Sequence, residues 1–190
     1  MMHQHNHKFS YDEDERRKRQ NPESILSLIG LRKDMVFIDL GANDGFFSIP
    51  ASSIVGNKGQ IYAVDIDKEA LYRLADKASQ KGLTNIQVIH AAAEEEIVFL
   101  LAKADIIFLG TVLHDFQDPL KSLINAKRML KSDGVIYNLD WQKIKDTIGP
   151  PYAVRFSEDY VFELALRAGL NAAKMAYSNN KYYLFKLIAD

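Results

Sequence analysis

Val36-Phe37-Ile38-Asp39-Leu40-Gly41-Ala42-Asn43-Asp44-Gly45 is the stretch on which the fold turns. Its first five residues read as a buried strand carrying one carboxylate. Glycines at 41 and 45 bracket a tight turn, and Phe46-Phe47-Ser48-Ile49 follows as the expected start of a helix. Twenty-four residues after Gly41, a second apolar run, Gln60-Ile61-Tyr62-Ala63-Val64, ends on Asp65. The turn lets a ligand come close to backbone, and the second acid sits where ribose hydroxyls of a nucleotide-like ligand donate. A carboxylate at the end of an apolar parallel strand is costly to bury without partners. For Asp39 and Asp65 a functional reading therefore outweighs a structural one.

Outward from this stretch, strands and helices alternate. Strand-like runs cover residues 36–40, 60–64, 86–90, 106–109 and 134–139. After Asp67, the residues Ala70, Leu71, Leu74, Ala75 and Ala78 recur at helical spacing, and Gly82 closes the segment. Further helices are expected from Asp118-Pro119 to Lys131 and over residues 158–168. Apolar strands alternating with helices predict a parallel sheet covered on both faces. The C-terminal part breaks the rhythm: residues 171–177 and 181–188 flank Ser178-Asn179-Asn180 and read as a β-hairpin.

Upstream, residues 12–19 place an acid four residues before a base four times in succession, which favours a solvated helical turn or two. Asn21-Pro22 reads as an N-cap and first helical residue, with Ile25, Leu26, Leu28 and Ile29 on the apolar side and Gly30 at the end. Residues 1–20 are expected to form a flexible N-terminal tail or lid, and residues 21–190 a single domain. His3, His5 and His7 alternate, but no acid or cysteine nearby completes a metal set; no metal site is expected.

With 190 residues, 47% of them apolar, the chain has material for one sizeable core. A net charge of −1 lacks the footprint of a dedicated nucleic-acid binder. No cysteine is present, which excludes disulfides, thiolate metal sites and cysteine nucleophiles. No apolar run reaches transmembrane length, and the polar N-terminus lacks the apolar core of a signal peptide. A soluble, cytoplasmic protein with a small-molecule substrate is expected, its oligomeric state left open.

Asp-Leu-Gly-Ala-Asn-Asp-Gly after the first strand and Val-Asp-Ile-Asp after the second, five parallel strands and a final hairpin resemble the class I S-adenosylmethionine-dependent methyltransferases. Within that class the chain is similar to the small-molecule type 11 group, which includes the ubiquinone/menaquinone C-methyltransferases. Ala104-Asp105-Ile106-Ile107-Phe108 leading to Val112-Leu113-His114, Arg128 to Gly134, and Gly149-Pro150-Pro151 before Phe156-Ser157-Glu158 carry the resemblance over roughly residues 20–188. It implies an α/β, Rossmann-like three-layer sandwich: a mostly parallel seven-stranded sheet with a C-terminal antiparallel hairpin. It also implies S-adenosylmethionine as cofactor and methyl transfer to a small, aromatic or quinone-like acceptor.

Carried over residue by residue, the resemblance implies that Asp39, Gly41 and Gly45 frame the loop under the methionine part of the cofactor. Asp65 would hold the ribose hydroxyls and Ile66 would pack on adenine. Ala92, Ala93 and Glu94 would close the adenine side, and Gly110, Thr111 and Val112 would line the floor beneath the sulfonium. Two departures stand out. Asn43 replaces the middle glycine of the family turn, but asparagine tolerates left-handed backbone and its side chain is a candidate for holding the methionine carboxylate. Ala92 stands where relatives commonly carry an aspartate that accepts from the adenine amino group, with Glu94 as a possible substitute.

Methyl transfer needs a base only where the acceptor must lose a proton. His114 and Asp140 are the candidate catalytic residues, with Asp115 beside them, each expected near the carboxyl end of a strand. Backbone-bonded or loop-capping roles compete for all three, and Trp141 is divided between walling an acceptor pocket and packing. Two other readings remain: a non-catalytic S-adenosylmethionine-binding module, and a nicotinamide-dependent oxidoreductase. The second predicts Gly-x-Gly-x-x-Gly, which Gly41-Ala-Asn-Asp-Gly45 does not match.

Overall fold

In a computed structural model that describes residues 13–177 and 179–189, seven strands form one sheet. Residues 1–12, with the three histidines of the expected tail and Asp12 of the first acid–base pair, lie outside the described residues, as do Ser178 and Asp190; residues 13–19 of the expected tail or lid form a helix. The strands are β1 Val36–Leu40, β2 Gln60–Asp65, β3 Ile86–His90, β4 Ala104–Gly110, β5 Leu130–Trp141, β6 Leu170–Lys174 and β7 Tyr182–Ala189. Their order is β3-β2-β1-β4-β5-β7-β6. β1 to β5 run parallel, and β7 enters antiparallel between β5 and β6. Strand order reverses between β1 and β4, where open α/β sheets bind ligands at their carboxyl ends.

The helices are α1 Glu13–Arg19, α2 Pro22–Leu28, α3 Ser48–Val55, α4 Lys68–Gln80, α5 Pro119–Met129 and α6 Glu158–Arg167. Their starts follow the capping chemistry in the sequence. Side chains of Asn21, Asp67, Asp118 and Ser157 each accept the backbone N–H three residues on. α3 has no such side-chain cap. It begins at Ser48, two residues later than expected, because Phe46 and Phe47 are buried against the sheet instead. β5 begins earlier than expected, at Leu130, through an irregular pairing with Ala104.

Strand alternation sends residues to two apolar layers. Phe37, Ile61, Ile106, Phe108, Leu139 and Leu184 join Ile25 and Leu26 of α2 and Val55 of α3 on one face. Ile38, Val64, Ile107, Leu109, Ile136 and Phe185 join Leu123 of α5 and Leu164 of α6 on the other. The sheet is thus the middle of three layers, and its carboxyl end carries the site.

Candidate active site

The turn after β1 is built on close backbone approach. Gly41 has φ +86°, and a Cβ there would lie 2.5 Å from Cγ2 of Val112. Asn43 takes φ +48°, the left-handed conformation expected of it. Its side-chain Oδ1 accepts the Asp44 N–H at 2.7 Å, so within this turn it braces backbone. Gly45 closes the turn by donating to the Ala42 carbonyl at 3.0 Å. Lys77 of α4 holds Asp44 at 2.7 Å, fixing the outside of the turn.

Asp65, at the end of β2, faces this turn. Its Oδ2 accepts the Asn43 N–H at 2.7 Å and its Oδ1 accepts the Asp67 N–H at 2.8 Å. Burial raises the Asp65 pKa, and those two N–H donors oppose the rise. Each carboxylate oxygen keeps a lone pair for a further donor. Ile66 beside it is 67% exposed, an apolar surface of the kind a planar ring covers. His90 Nε2 lies 3.0 Å from the Ile66 carbonyl and steadies that residue.

Asp39 is 2% exposed. Ser48, the first residue of α3, donates its hydroxyl to Oδ2 at 2.6 Å. Burial pushes the carboxyl up to about 7; the Ser48 hydrogen bond opposes this, the Asp65 charge adds to it and the Arg16 charge opposes it. Arg16 comes from α1, a helix with no buried residue of its own. Its guanidinium carbon lies 3.9 Å from the centroid of the Phe46 ring, within cation–π range. Its Nη2 lies 3.5 Å from Thr111 Oγ1, and Asn179 donates to the Arg19 carbonyl at 2.9 Å. α1 therefore reaches from the β1 turn to the segment before β7.

At the end of β4, Thr111 has φ +61°. A β-branched residue there is a strained outlier, and such strain persists where the surroundings impose it, often at ligand sites. Its N–H donates to the Leu139 carbonyl at 2.6 Å and its hydroxyl to the Gly110 carbonyl at 2.6 Å.

His114 and Asp140 meet in the folded chain. His114 Nδ1 lies 2.7 Å from Asp140 Oδ1, with side chains 3% and 1% exposed. The Trp141 N–H also donates to Asp140 Oδ1, at 2.8 Å. Asp115 lies 3.5 Å from the other ring nitrogen. Burial works against a charged His114 ring, but the Asp140 charge and hydrogen bond, then the Asp115 charge, outweigh it and the pKa rises. Trp141 is 6% exposed and packs against Tyr182 at 4.5 Å, which favours packing over a pocket wall.

On the expected adenine side, Ala93 is buried and Glu94 accepts the Asp118 N–H at 3.1 Å, a structural tie to the start of α5. Among the described residues no group of three or more His, Asp or Glu side chains is placed to hold a metal, and no helix is long and apolar enough to cross a membrane. Sequence reading missed Arg16 and Arg155. The first is hidden in a charge run, and nothing local marks the second.

This chemistry fits S-adenosylmethionine: a glycine turn without room for Cβ, a carboxylate with lone pairs left for further donors, and an exposed apolar face beside it. A family model described as a methyltransferase domain matches residues 31–182. The chain is similar to a structure described as a SAM-dependent methyltransferase from Aquifex aeolicus, with 28% identity, a TM-score of 0.83, and coverage of 93% of this chain and 98% of that one. It is 35% identical over 85 residues to a probable cobalt-precorrin-6B C(15)-methyltransferase of Pyrobaculum calidifontis, covering 45% of this chain and 44% of the relative. To a ubiquinone/menaquinone biosynthesis C-methyltransferase of Vibrio vulnificus it is 30% identical over 142 residues, covering 74% of this chain and 52% of the relative. The chain thus spans about half the length of these two curated relatives. By the match over residues 31–182 and the order of its seven strands, the chain belongs to the methyltransferase-domain family, among the class I, type 11 S-adenosylmethionine-dependent methyltransferases.

Proposed function

We propose that this chain transfers a methyl group from S-adenosylmethionine to a small-molecule acceptor, aromatic or quinone-like in class. The observation that carries the reading is the junction of the Asn43 turn with Asp65 at the switch point of the sheet. When bound, the cofactor supplies a methyl group on a sulfonium that is already a good leaving group. The protein's part is to bind, align and exclude water.

In this reading Asp65 takes the ribose hydroxyls, Ile66 and Ala93 flank adenine, and Gly41, Asn43 and Gly45 bring backbone to the methionine part. Asp39 holds the start of α3 through Ser48, and Thr111 sets the floor with Gly110. Arg16 brings a positive charge to the methionine end, and α1 serves as the lid. His114, clamped by Asp140, is the group that exchanges a proton or hydrogen bond with the acceptor; burial opposes its charged form, and the Asp140 charge and hydrogen bond raise its pKa against that effect. Asp140 orients the ring and holds its charge.

Calorimetric titration with S-adenosylmethionine and S-adenosylhomocysteine, with NAD as control, tests the reading. Binding of the two methionine-derived ligands alone supports it, and binding of NAD alone overturns it. Cofactor binding with no methylated product from any small-molecule extract would move the chain to the non-catalytic binding module.

A further inference from the structure

Between β5 and α6 the chain runs for sixteen residues, 142–157, without helix or strand. Loops of that length inside a compact domain are uncommon and are often functional. Left alone, such a stretch is mobile, because its carbonyls gain nothing from one conformation over another. Here one side chain collects them. Arg155 is 1% exposed and heads the largest fully buried side chains of the molecule. Its Nε donates to the Pro150 carbonyl at 2.8 Å, Nη1 to those of Gln142 and Ile144 at 3.2 and 3.1 Å, and Nη2 to that of Ile148 at 2.6 Å. All four bonds end on main-chain oxygen, from both limbs of the loop.

Other contacts pin the same segment. Lys143 Nζ donates back to the Arg155 carbonyl at 2.8 Å. The Arg155 guanidinium carbon lies 5.4 Å from the Trp141 ring centroid. Gly149 rests its backbone on the Trp141 ring so closely that a Cβ would come within 2.8 Å of Cε3. Lys181, just before β7, pairs with Asp146, and the Gln142 amide donates to Glu158 at 2.7 Å. The loop leaves the carboxyl end of β5 at Trp141, one residue after Asp140, the partner of His114, while Tyr152 and Ile144 stay 47% and 42% exposed.

We propose that Arg155 is a positioning residue: it holds residues 142–155 in one conformation at the carboxyl end of β5, where they form the wall of the acceptor site beside His114. The assignment of the wall to an acceptor rests on the methyl-transfer reading; the ordering of the loop by Arg155 does not. A lysine cannot replace it. Four carbonyls approached from different directions need the planar fork of a guanidinium, whereas an ammonium is a single point charge with three donors.

Arg155 also acts on His114 through charge. Among the described residues, the charges of Asp140 from β5, Asp115 beside the ring and Arg155 from the loop act on it. The first two favour the protonated ring and Arg155 disfavours it. Removing the guanidinium is expected to raise the His114 titration midpoint, and a lysine at the same place to restore it.

The test uses Arg155→Met and Arg155→Lys in the full chain without cofactor, by hydrogen–deuterium exchange and by NMR titration of His114. Both variants are expected to exchange over residues 142–155 about tenfold faster or more, with β1 and β4 as protected as in the wild type. The His114 midpoint is expected to rise in Arg155→Met alone. Unchanged loop protection in either folded variant overturns the proposal; if Arg155→Met does not fold, Arg155→Lys carries the same readout. Methyl incorporation into a small-molecule extract from labelled S-adenosylmethionine then reads the wall. A fall of about tenfold or more in either folded variant, with S-adenosylhomocysteine affinity kept within about twofold, supports the wall; unchanged incorporation overturns it. Failure of the wild type to bind S-adenosylhomocysteine strikes the methyl-transfer reading, and leaves the exchange result to decide the role of Arg155.

Discussion

The Asn43 N–H and the Asp65 carboxylate meet at 2.7 Å across 22 residues of sequence, so the turn after β1 and the acid after β2 form one unit. A ligand held by Asp65 is also placed against the turn. Asp65→Ala should weaken S-adenosylmethionine binding by roughly 1.5–3 kcal/mol, the worth of hydrogen bonds to a charged group. Calorimetry reads it directly, and wild-type affinity in the variant would remove Asp65 from the ribose.

Gly41→Ala asks a different question of the same turn. The new methyl would meet Val112 at 2.5 Å from a residue at φ +86°. Val112 is a side chain and can yield, but only by moving the segment that follows Thr111. A stability loss of roughly 1–3 kcal/mol in urea unfolding is expected, with weaker cofactor binding. An alanine variant that equals the wild type in both would mean that the turn tolerates a side chain.

Asp39 gives the protein a pH dependence of defined sign. Its folded pKa, about 7, lies above its ordinary 3.8, so the folded state keeps a proton that the unfolded chain has released. That stability is fully present below about pH 4 and is lost as pH rises through 7. At roughly 1.4 kcal/mol per pH unit, the span from 3.8 to about 7 corresponds to about 4 kcal/mol. Asp39→Asn, neutral throughout, should flatten urea-unfolding stability between pH 4 and 7. Equal slopes for variant and wild type would show that Asp39 is not the group responsible.

The His114–Asp140 pair has the same sign by the opposite route. A histidine with a raised folded pKa contributes stability that is complete below its ordinary 6.5 and fades as pH passes its folded value. Asp140→Asn should lower the His114 midpoint in NMR titration and cost roughly 3 kcal/mol near pH 6, since one buried partner is left unpaired. His114→Ala should slow turnover with cofactor binding intact; unchanged turnover would leave the pair a purely structural tie.

For α1, Arg16→Ala removes the contacts with the Phe46 ring and Thr111. Cofactor affinity should fall by about five- to tenfold, the worth of one charge-assisted contact at a partly exposed site. Proteolysis within residues 13–19 should quicken. Wild-type values for both would make α1 a bystander.

Much of this arrangement is legible in the sequence because it rests on local chemistry. Asp67 and Asp118 cap the helices they precede, and Asn43 stands where left-handed backbone is needed. Alternating apolar runs mark all the parallel strands. Arg16 and Arg155 are not legible, for a shared reason. A guanidinium shows its role only through carbonyls, rings and carboxylates that other segments deliver, and an arginine in an exposed run has the same neighbours in sequence as a buried one. Phe46 illustrates the converse, since its burial against the sheet delays a helix that its local context starts two residues early.

The place of β7 in the sheet bears on how the protein is made. β7 follows every other strand in sequence, yet it lies between β5 and β6. Until it emerges from the ribosome, the long edge of β5 has no partner on that side, and β6 has no strand to join. Synthesis proceeds from the N-terminus, and unpaired strand edges invite association with other chains. The nascent protein can pair β1, β2 and β3 early. The β5 edge stays open until residues 182–189 insert, so a chain stalled near residue 180 would display a sticky sheet edge directly beside Asp140.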